Sequence, residues 1–324
     1  MHNIKHIQEL VNSELNSINF NGEPKQLYAP IAYTLAQGGK RIRPVLCLMA
    51  AQLFGKDITT VLYPALGLEI FHNFTLLHDD IMDNAQVRRN KPTVHEKWNA
   101  NAAILSGDAM MIKAHQFICR CDEKKLPQAI ALFNSVALGV CEGQQYDMEF
   151  ETRSDVSVDE YLEMIRLKTA LLLAGSLKLG AILANAPHQD AELIYQFGIN
   201  IGMAFQLQDD YLDSFGNQQT FGKKIGGDII ANKKTFLLLT ALRKAENQEK
   251  SNLNKWVTVK HFDCEQKITA VKKIYQKLSV DTESKIKMQA YYDTAISCLT
   301  KVDGQQVVKN ELMDYASQLM QRIK

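Results

Sequence analysis

FHNFTLLHDDIMD (residues 71–83) and INIGMAFQLQDDYLD (residues 199–213) decide how this chain is read. In each, an apolar stretch, Phe71 to Leu77 or Ile199 to Leu207, runs into the pattern Asp-Asp-x-x-Asp. On a helix the first and last aspartates of that pattern are four apart and lie on one face. Apolar residues recur at three and four elsewhere too, as in Ile31-Leu35, Leu162-Ile165 and Leu237-Leu238-Ala241. Strand-type alternation is hard to find. The expectation is an all-α chain with roughly ten or more helices of ordinary length.

Helix stoppers mark the breaks: Gly38-Gly39, Asn90-Lys91-Pro92, Asn185-Ala186-Pro187 and Phe215-Gly216-Asn217. Segment 214–228, SFGNQQTFGKKIGGD, is glycine-rich and polar and reads as a loop. No low-complexity tract divides the 324 residues, and the duplicated aspartate pattern favours one helical domain over residues 1–324. Hydrophobic residues make up 46% and charged residues 23%, enough for a sizeable core. With 37 Lys and Arg against 36 Asp and Glu, the net charge of +1 argues against a nucleic-acid binder. No signal peptide and no run of about 18 apolar residues is evident, so neither export nor stable membrane insertion is expected. Six scattered cysteines read as reduced, buried thiols of a cytoplasmic protein.

Three carboxylates at an apolar helix end repel one another and resist desolvation. A single such cluster is as readily a solvated acidic helix end. Two copies, Asp79-Asp80-Asp83 and Asp209-Asp210-Asp213, point instead to a cavity where several Mg²⁺ ions grip a diphosphate. The cationic clusters lie beside them. Gly38-Gly39-Lys40-Arg41-Ile42-Arg43-Pro44 brings three cations to a helix junction, and Val87-Arg88-Arg89-Asn90-Lys91-Pro92 follows the first aspartate cluster. Gly222-Lys223-Lys224-Ile225-Gly226-Gly227-Asp228 and Asn232-Lys233-Lys234-Thr235 follow the second, with Lys168-Thr169 between. Glycine lets backbone N–H groups approach phosphate oxygens, and arginine grips them with two prongs. Two separate cation sets imply two diphosphate subsites.

These residues resemble the trans-isoprenyl diphosphate synthases, also called polyprenyl synthetases. The resemblance runs from GGKRIRP (38–44) through HDDIMD and VRRNKPTVH, GQQYDMEFE (143–151), KTA (168–170) and FQLQDDYLD (205–213) to GKKIGGD with NKKT. It covers about residues 30–240 in the family's order. Residues 241–324 carry no such signature. The resemblance implies an orthogonal helical bundle of the isoprenoid synthase type around a deep central cavity, usually as a homodimer. It implies that Asp79, Asp83 and Asp209 hold Mg²⁺, three ions with substrate bound, with Asp80, Asp210 and Asp213 in support. It assigns the allylic diphosphate to Arg88, Lys168, Lys223 and Lys233, with Lys224 as the alternative to its neighbour. Isopentenyl diphosphate falls to Lys40, Arg43, His72 and Arg89. Thr169 and Gln206 line the cationic centre. Arg322 and Lys324 read as a frayed tail, or as a basic tail closing over a diphosphate.

The implied reaction ionises an allylic diphosphate such as dimethylallyl, geranyl or farnesyl diphosphate. The double bond of isopentenyl diphosphate then attacks the cation. Thr75 lies nearly beneath Asp79 and Phe71 a turn further down, whereas Phe74 is roughly 140° round the helix. In the family the position of Phe74 often sets product length. An aromatic there favours 15 or 20 carbons, and Thr75 leans the expectation to 20. A class I terpene cyclase, a non-catalytic synthase subunit and a metal phosphohydrolase built on His78-Asp79 with His72 and His95 remain open alternatives. So does a farnesyl diphosphate synthase.

Overall fold

Periodicity of three and four becomes helix along most of the described residues. The computed structural model describes residues 2–20, 22–216 and 225–320. Lys223, Lys224, Arg322 and Lys324 lie outside the described residues. Among those described, the strands are a two-residue pair, β1 (Val87–Arg88) and β2 (Lys91–Pro92), antiparallel with Val87 opposite Pro92. The break expected at Asn90-Lys91-Pro92 is thus a small hairpin. Arg89 and Asn90 at its tip are both left-handed, φ 54° and 60°, as a tight hairpin turn requires.

The chain packs as two compact units. One comprises residues 1–134, 175–194 and 303–311, the other 135–174, 195–302 and 312–324.

In the first unit lie α1 (Ile4–Ser17), α2 (Lys25–Leu35), α3 (Ile42–Leu53), α4 (Leu62–Met82), the short α5 (Val94–Lys97) and α6 (Ala100–Ile118). Helix α4 carries the first aspartate cluster. It buries every residue from Pro64 to Phe71, so its first half is covered all round, and then Asn73, Leu77 and Asp80 on the way to the cluster. It packs closely on α6 because glycines clear the way: a Cβ on Gly67 would sit 2.9 Å from the Ala114 carbonyl oxygen. Asn99 caps α6 by accepting the Ala102 N–H at 2.8 Å. The distant segment 303–311 is tied in where the Asp303 N–H donates to Asp190 at 2.9 Å and the Gln305 N–H to the Leu53 carbonyl at 2.9 Å.

Helices α7 (Leu126–Thr152), α9 (Leu171–Leu183), α10 (His188–Phe215) and α16 (Gln306–Met320) contribute to both units. The second unit holds α8 (Val158–Ile165), α11 (Gly227–Ala231), α12 (Phe236–Lys244), α13 (Asn247–Thr258), α14 (Cys264–Lys277) and α15 (Val280–Lys301). Its core gathers Phe150, Tyr161, Met164, Met203, Leu207, Tyr211, Phe236 and Met288. Between α8 and α9 the five residues Arg166–Ala170 wind as a wide π turn. Gly143 of α7 presses on it, and a Cβ there would lie 2.4 Å from the Lys168 backbone nitrogen.

No helix among the described residues is long and apolar enough to cross a membrane. All six cysteines are free thiols, but the expectation that they are buried holds for Cys47 alone. Cys119, Cys141 and Cys264 are exposed, because they stand on outward helix faces or at helix ends.

Candidate active site

The two aspartate clusters are built alike, each within its own unit. In both, the second aspartate turns inward: Asp80 is 5% exposed and Asp210 6%. Asp80 Oδ1 accepts from Arg88 Nε at 2.7 Å. Burial raises the Asp80 carboxyl above its ordinary value, and Arg88 offsets only part of this. Asp210 accepts from the Tyr161 hydroxyl and from Gln206 Nε2, the latter at 3.0 Å. Burial pushes its carboxyl up to about 6, against the lowering pull of Tyr161, Lys233 and Gln206. The first and fifth aspartates keep water-facing surface: Asp79, Asp209 and Asp213 are half-buried and Asp83 is exposed. Asp213 Oδ1 also accepts the Asp228 N–H at 2.8 Å.

Among the described residues no three His, Cys, Asp or Glu side chains gather as a ready metal cage. Magnesium does not need one: it takes one or two carboxylates and completes its shell with substrate phosphate and water. The solvent-reaching carboxylates of Asp79, Asp83 and Asp209 fit that donor chemistry.

Around the first cluster, GGKRIRP divides its cations. Lys40 is exposed and Arg43 half-buried. Arg41 points inward, 4% exposed, with φ 51°. Its guanidinium donates to Glu69 Oε1 at 2.7 Å, to Asn12 Oδ1 at 3.1 Å and to the Leu35 carbonyl at 2.8 Å. Two of the three expected cations at this junction therefore reach solvent, because the third neutralises a buried carboxylate. Arg89 donates to the Gly38 carbonyl. A Cβ on Gly39 would come within 2.9 Å of that guanidinium, so the second glycine makes room for it. His72 sits among these arginines. Desolvation, and then the field of Arg43, Arg89, Arg88 and Arg41, holds its imidazole well below 6.5.

One and two turns before Asp79, Phe71 is fully buried and packs edge-on against Phe133 at 5.3 Å. Phe74 is half-buried and packs edge-on against His78 at 4.8 Å. The Thr75 hydroxyl donates to the His72 carbonyl at 2.8 Å. Among the described residues the His78-Asp79 dyad gathers no metal set. His78 Nε2 meets the Ile104 carbonyl at 3.1 Å instead.

In the second unit the π turn presents Lys168 and Thr169. The Thr169 hydroxyl donates to Gln206 Oε1 at 3.0 Å, and Gln206 reaches on to Asp210. Lys168 Nζ donates to Asp147 Oδ2 at 2.6 Å, and Lys233 Nζ stands 3.8 Å from the same oxygen. Burial works to raise the Asp147 carboxyl, but Lys233 and Lys168 outweigh it and hold it below the usual range.

Asp147, Tyr161 and Arg41 pair with Lys168, Asp210 and Glu69, and sequence reasoning gave none of the three a role of its own. Asp147 lies inside the stretch GQQYDMEFE, where its spacing from Lys168 gives no hint of contact. Tyr161 has no local signal at all. Arg41 stands in a motif whose charges look alike until burial separates them.

The polyprenyl synthetase family model matches residues 24–278. A short chain isoprenyl diphosphate synthase of Methanocaldococcus jannaschii is 40% identical over 250 residues, 77% of this chain and 76% of its own length. A geranylgeranyl diphosphate synthase of Sulfolobus acidocaldarius is 34% identical over 319 residues, 97% and 96% of the two chains. The crystal structure of a geranylgeranyl pyrophosphate synthase shares the fold with a TM-score of 0.94 at 42% identity, covering 100% of both chains. Fold, paired aspartate clusters and likeness over most of the chain agree: the protein belongs to the polyprenyl synthetase family.

Proposed function

We propose that this prenyltransferase condenses isopentenyl diphosphate with allylic diphosphates and stops at the 20-carbon all-trans product, geranylgeranyl diphosphate. The observation that carries the reading is the shared build of the two aspartate clusters. One carboxylate of each is buried and held, while the first and fifth keep solvent-reaching oxygens. Asp79, Asp83 and Asp209 would hold Mg²⁺, three ions with substrate bound, and Asp80, Asp210 and Asp213 would set their posture. The metal supplies Lewis acidity to the diphosphate leaving group.

Lys168 and Lys233, with Arg88 and Lys223, bind the allylic diphosphate and stabilise its growing charge as the C1–O bond breaks and the electron pair leaves with oxygen. Thr169 and Gln206 set their dipoles toward the allylic cation. Lys40, Arg43, Arg89 and the neutral His72 hold isopentenyl diphosphate so that its double-bond electrons form the new C–C bond. A proton then leaves the adjacent carbon for the released diphosphate, and a new allylic double bond closes the balance. Phe71, Phe74 and Thr75, one and two turns below Asp79, set where the growing chain stops. The 20-carbon product is supported by the two relatives named for it, one of them alike over 97% of this chain.

The same reading treats residues 1–324 as one working domain, located in the cytoplasm and paired as a homodimer. The pairing is supported by Ile104, Leu105 and Ile112, exposed by 43%, 60% and 61% along the outer face of α6. Light scattering at a mass of one chain would exclude it. The decisive assay incubates the protein with isopentenyl diphosphate, Mg²⁺ and each allylic primer, then separates the dephosphorylated products. Geranylgeraniol is the expected product. Alcohols of 30 carbons or more would overturn the short-chain reading, and cyclic hydrocarbons without consumption of isopentenyl diphosphate would indicate a cyclase.

A further inference from the structure

Lys267 lies on α14 with 1% of its surface exposed. A lysine is almost never fully buried without partners, since its ammonium gives up hydration. Here Nζ donates to Asn232 Oδ1 at 2.7 Å and to the Ile230 carbonyl at 3.2 Å, and it stands 4.1 Å from the centroid of the Phe262 ring. Both hydrogen-bond acceptors belong to the exit of α11. Asn232 terminates that helix in a left-handed turn, φ 54°. Its Nδ2 donates to the Val257 carbonyl at 3.0 Å, so the side chain is fixed from both ends.

Lys233 follows immediately. Its N–H donates to the Asp228 carbonyl at 2.9 Å, and its carbonyl accepts the Thr235 N–H at 2.8 Å. At the opposite end of α11, Asp213 accepts the Asp228 N–H. A carboxylate at the start and an ammonium at the end of this five-residue helix both complement its backbone dipoles.

We infer that Lys267 is a positioning residue for the transferase: it pins the Asn232 turn so that Lys233 stands where the leaving diphosphate is gripped. This rests on the functional reading above. Lys267 itself touches no substrate. It acts through one side chain and one turn, from outside the aspartate and cation motifs.

The test is a double-mutant cycle on the full-length enzyme, with farnesyl diphosphate and isopentenyl diphosphate as probes. Lys267→Met keeps the packing on Phe262 and removes the donor. It is expected to raise the KM for farnesyl diphosphate about tenfold, the scale of one charge-assisted hydrogen bond, and to leave the KM for isopentenyl diphosphate unchanged. Lys233→Ala should raise the same KM, and the double variant should be no worse than Lys233→Ala alone. Asn232→Gly retains the left-handed turn while deleting the acceptor. It should reproduce the KM effect if Lys267→Met fails to fold. Additive effects on KM in the double variant would show that Lys267 does not act through Lys233. So would an unchanged KM in both Lys267→Met and Asn232→Gly. Either result overturns the positioning role while the wild type still condenses its substrates. A wild type that makes no condensation product takes the functional reading down with it.

Discussion

Asp79 and Asp80 are neighbours in sequence and opposites in environment, and that difference separates chemistry from stability. Asp79 keeps a solvent-reaching face, so Asp79→Ala should cut turnover about 10²–10³-fold, the scale of losing one stabiliser of developing charge. Its melting temperature should stay put, and near-normal condensation would remove Asp79 from the proposed metal set. Asp80→Ala strands Arg88 and should cost about 1–3 kcal/mol of stability, toward the low end because the arginine side chain is 30% exposed. Denaturant titration of the two variants side by side reads this contrast. His72 gives a pH signature. Its folded value lies below the 6.5 of the unfolded chain, so on acidification the unfolded state takes up the proton first. Stability is therefore unaffected by His72 above 6.5 and declines as the pH falls below it. Melts between about pH 8 and about pH 5 should show a decline that His72→Gln lessens. Equal declines in both proteins would assign the loss to other groups. The types of residue at these positions were legible in the sequence; which of them faces inward was not. Burial separates Arg41 from Lys40 and Asp80 from Asp79, and burial is a property of the packed chain.

The helices announce themselves through apolar spacing, and the apolar stretch before Asp79 is helix α4. Two smaller elements do not. The β1–β2 hairpin depends on two consecutive left-handed residues, and only Asn90 of that pair is of a type that favours the conformation. The π turn has no local code either. It is held where α7 comes close enough for Gly143 to touch the Lys168 backbone, and α7 is remote from it in sequence. Gly143→Ala should push that backbone aside. The expected costs are about 1–3 kcal/mol of stability, from overpacking against a peptide unit, and a raised KM for the allylic substrate as Lys168 and Thr169 shift. Thermal melts with steady-state kinetics test both. An Ala variant with native stability and native KM would mean that the turn does not depend on the slot.

For the whole molecule, the family and the all-α architecture could be read from residues 30–240; beyond them Lys267 meets its partners through packing rather than through a motif, so no sequence pattern marked it. Product length belongs at this scale, since it measures how far a chain grows before it meets a wall. Phe71 is core, packed on Phe133, so Phe71→Ala should cost about 3–5 kcal/mol whatever it does to the product. Half-buried Phe74 is the cleaner probe. Phe74→Ala should fold normally and add one or more five-carbon units, visible by chromatography of the dephosphorylated alcohols. An unchanged length would move the stop to another helix. The shared grip of Lys168 and Lys233 on Asp147 bears on the pace of the cycle. On the proposed function Asp147 is a resident rival for the same two ammonium groups: an arriving diphosphate would displace it, and it would return as the diphosphate departs. Such competition trades tightness of capture for speed of release. Asp147→Asn should therefore hold inorganic diphosphate more firmly, let it go more slowly and lower the steady-state rate without harming the first turnover, a burst that rapid-quench measurement resolves.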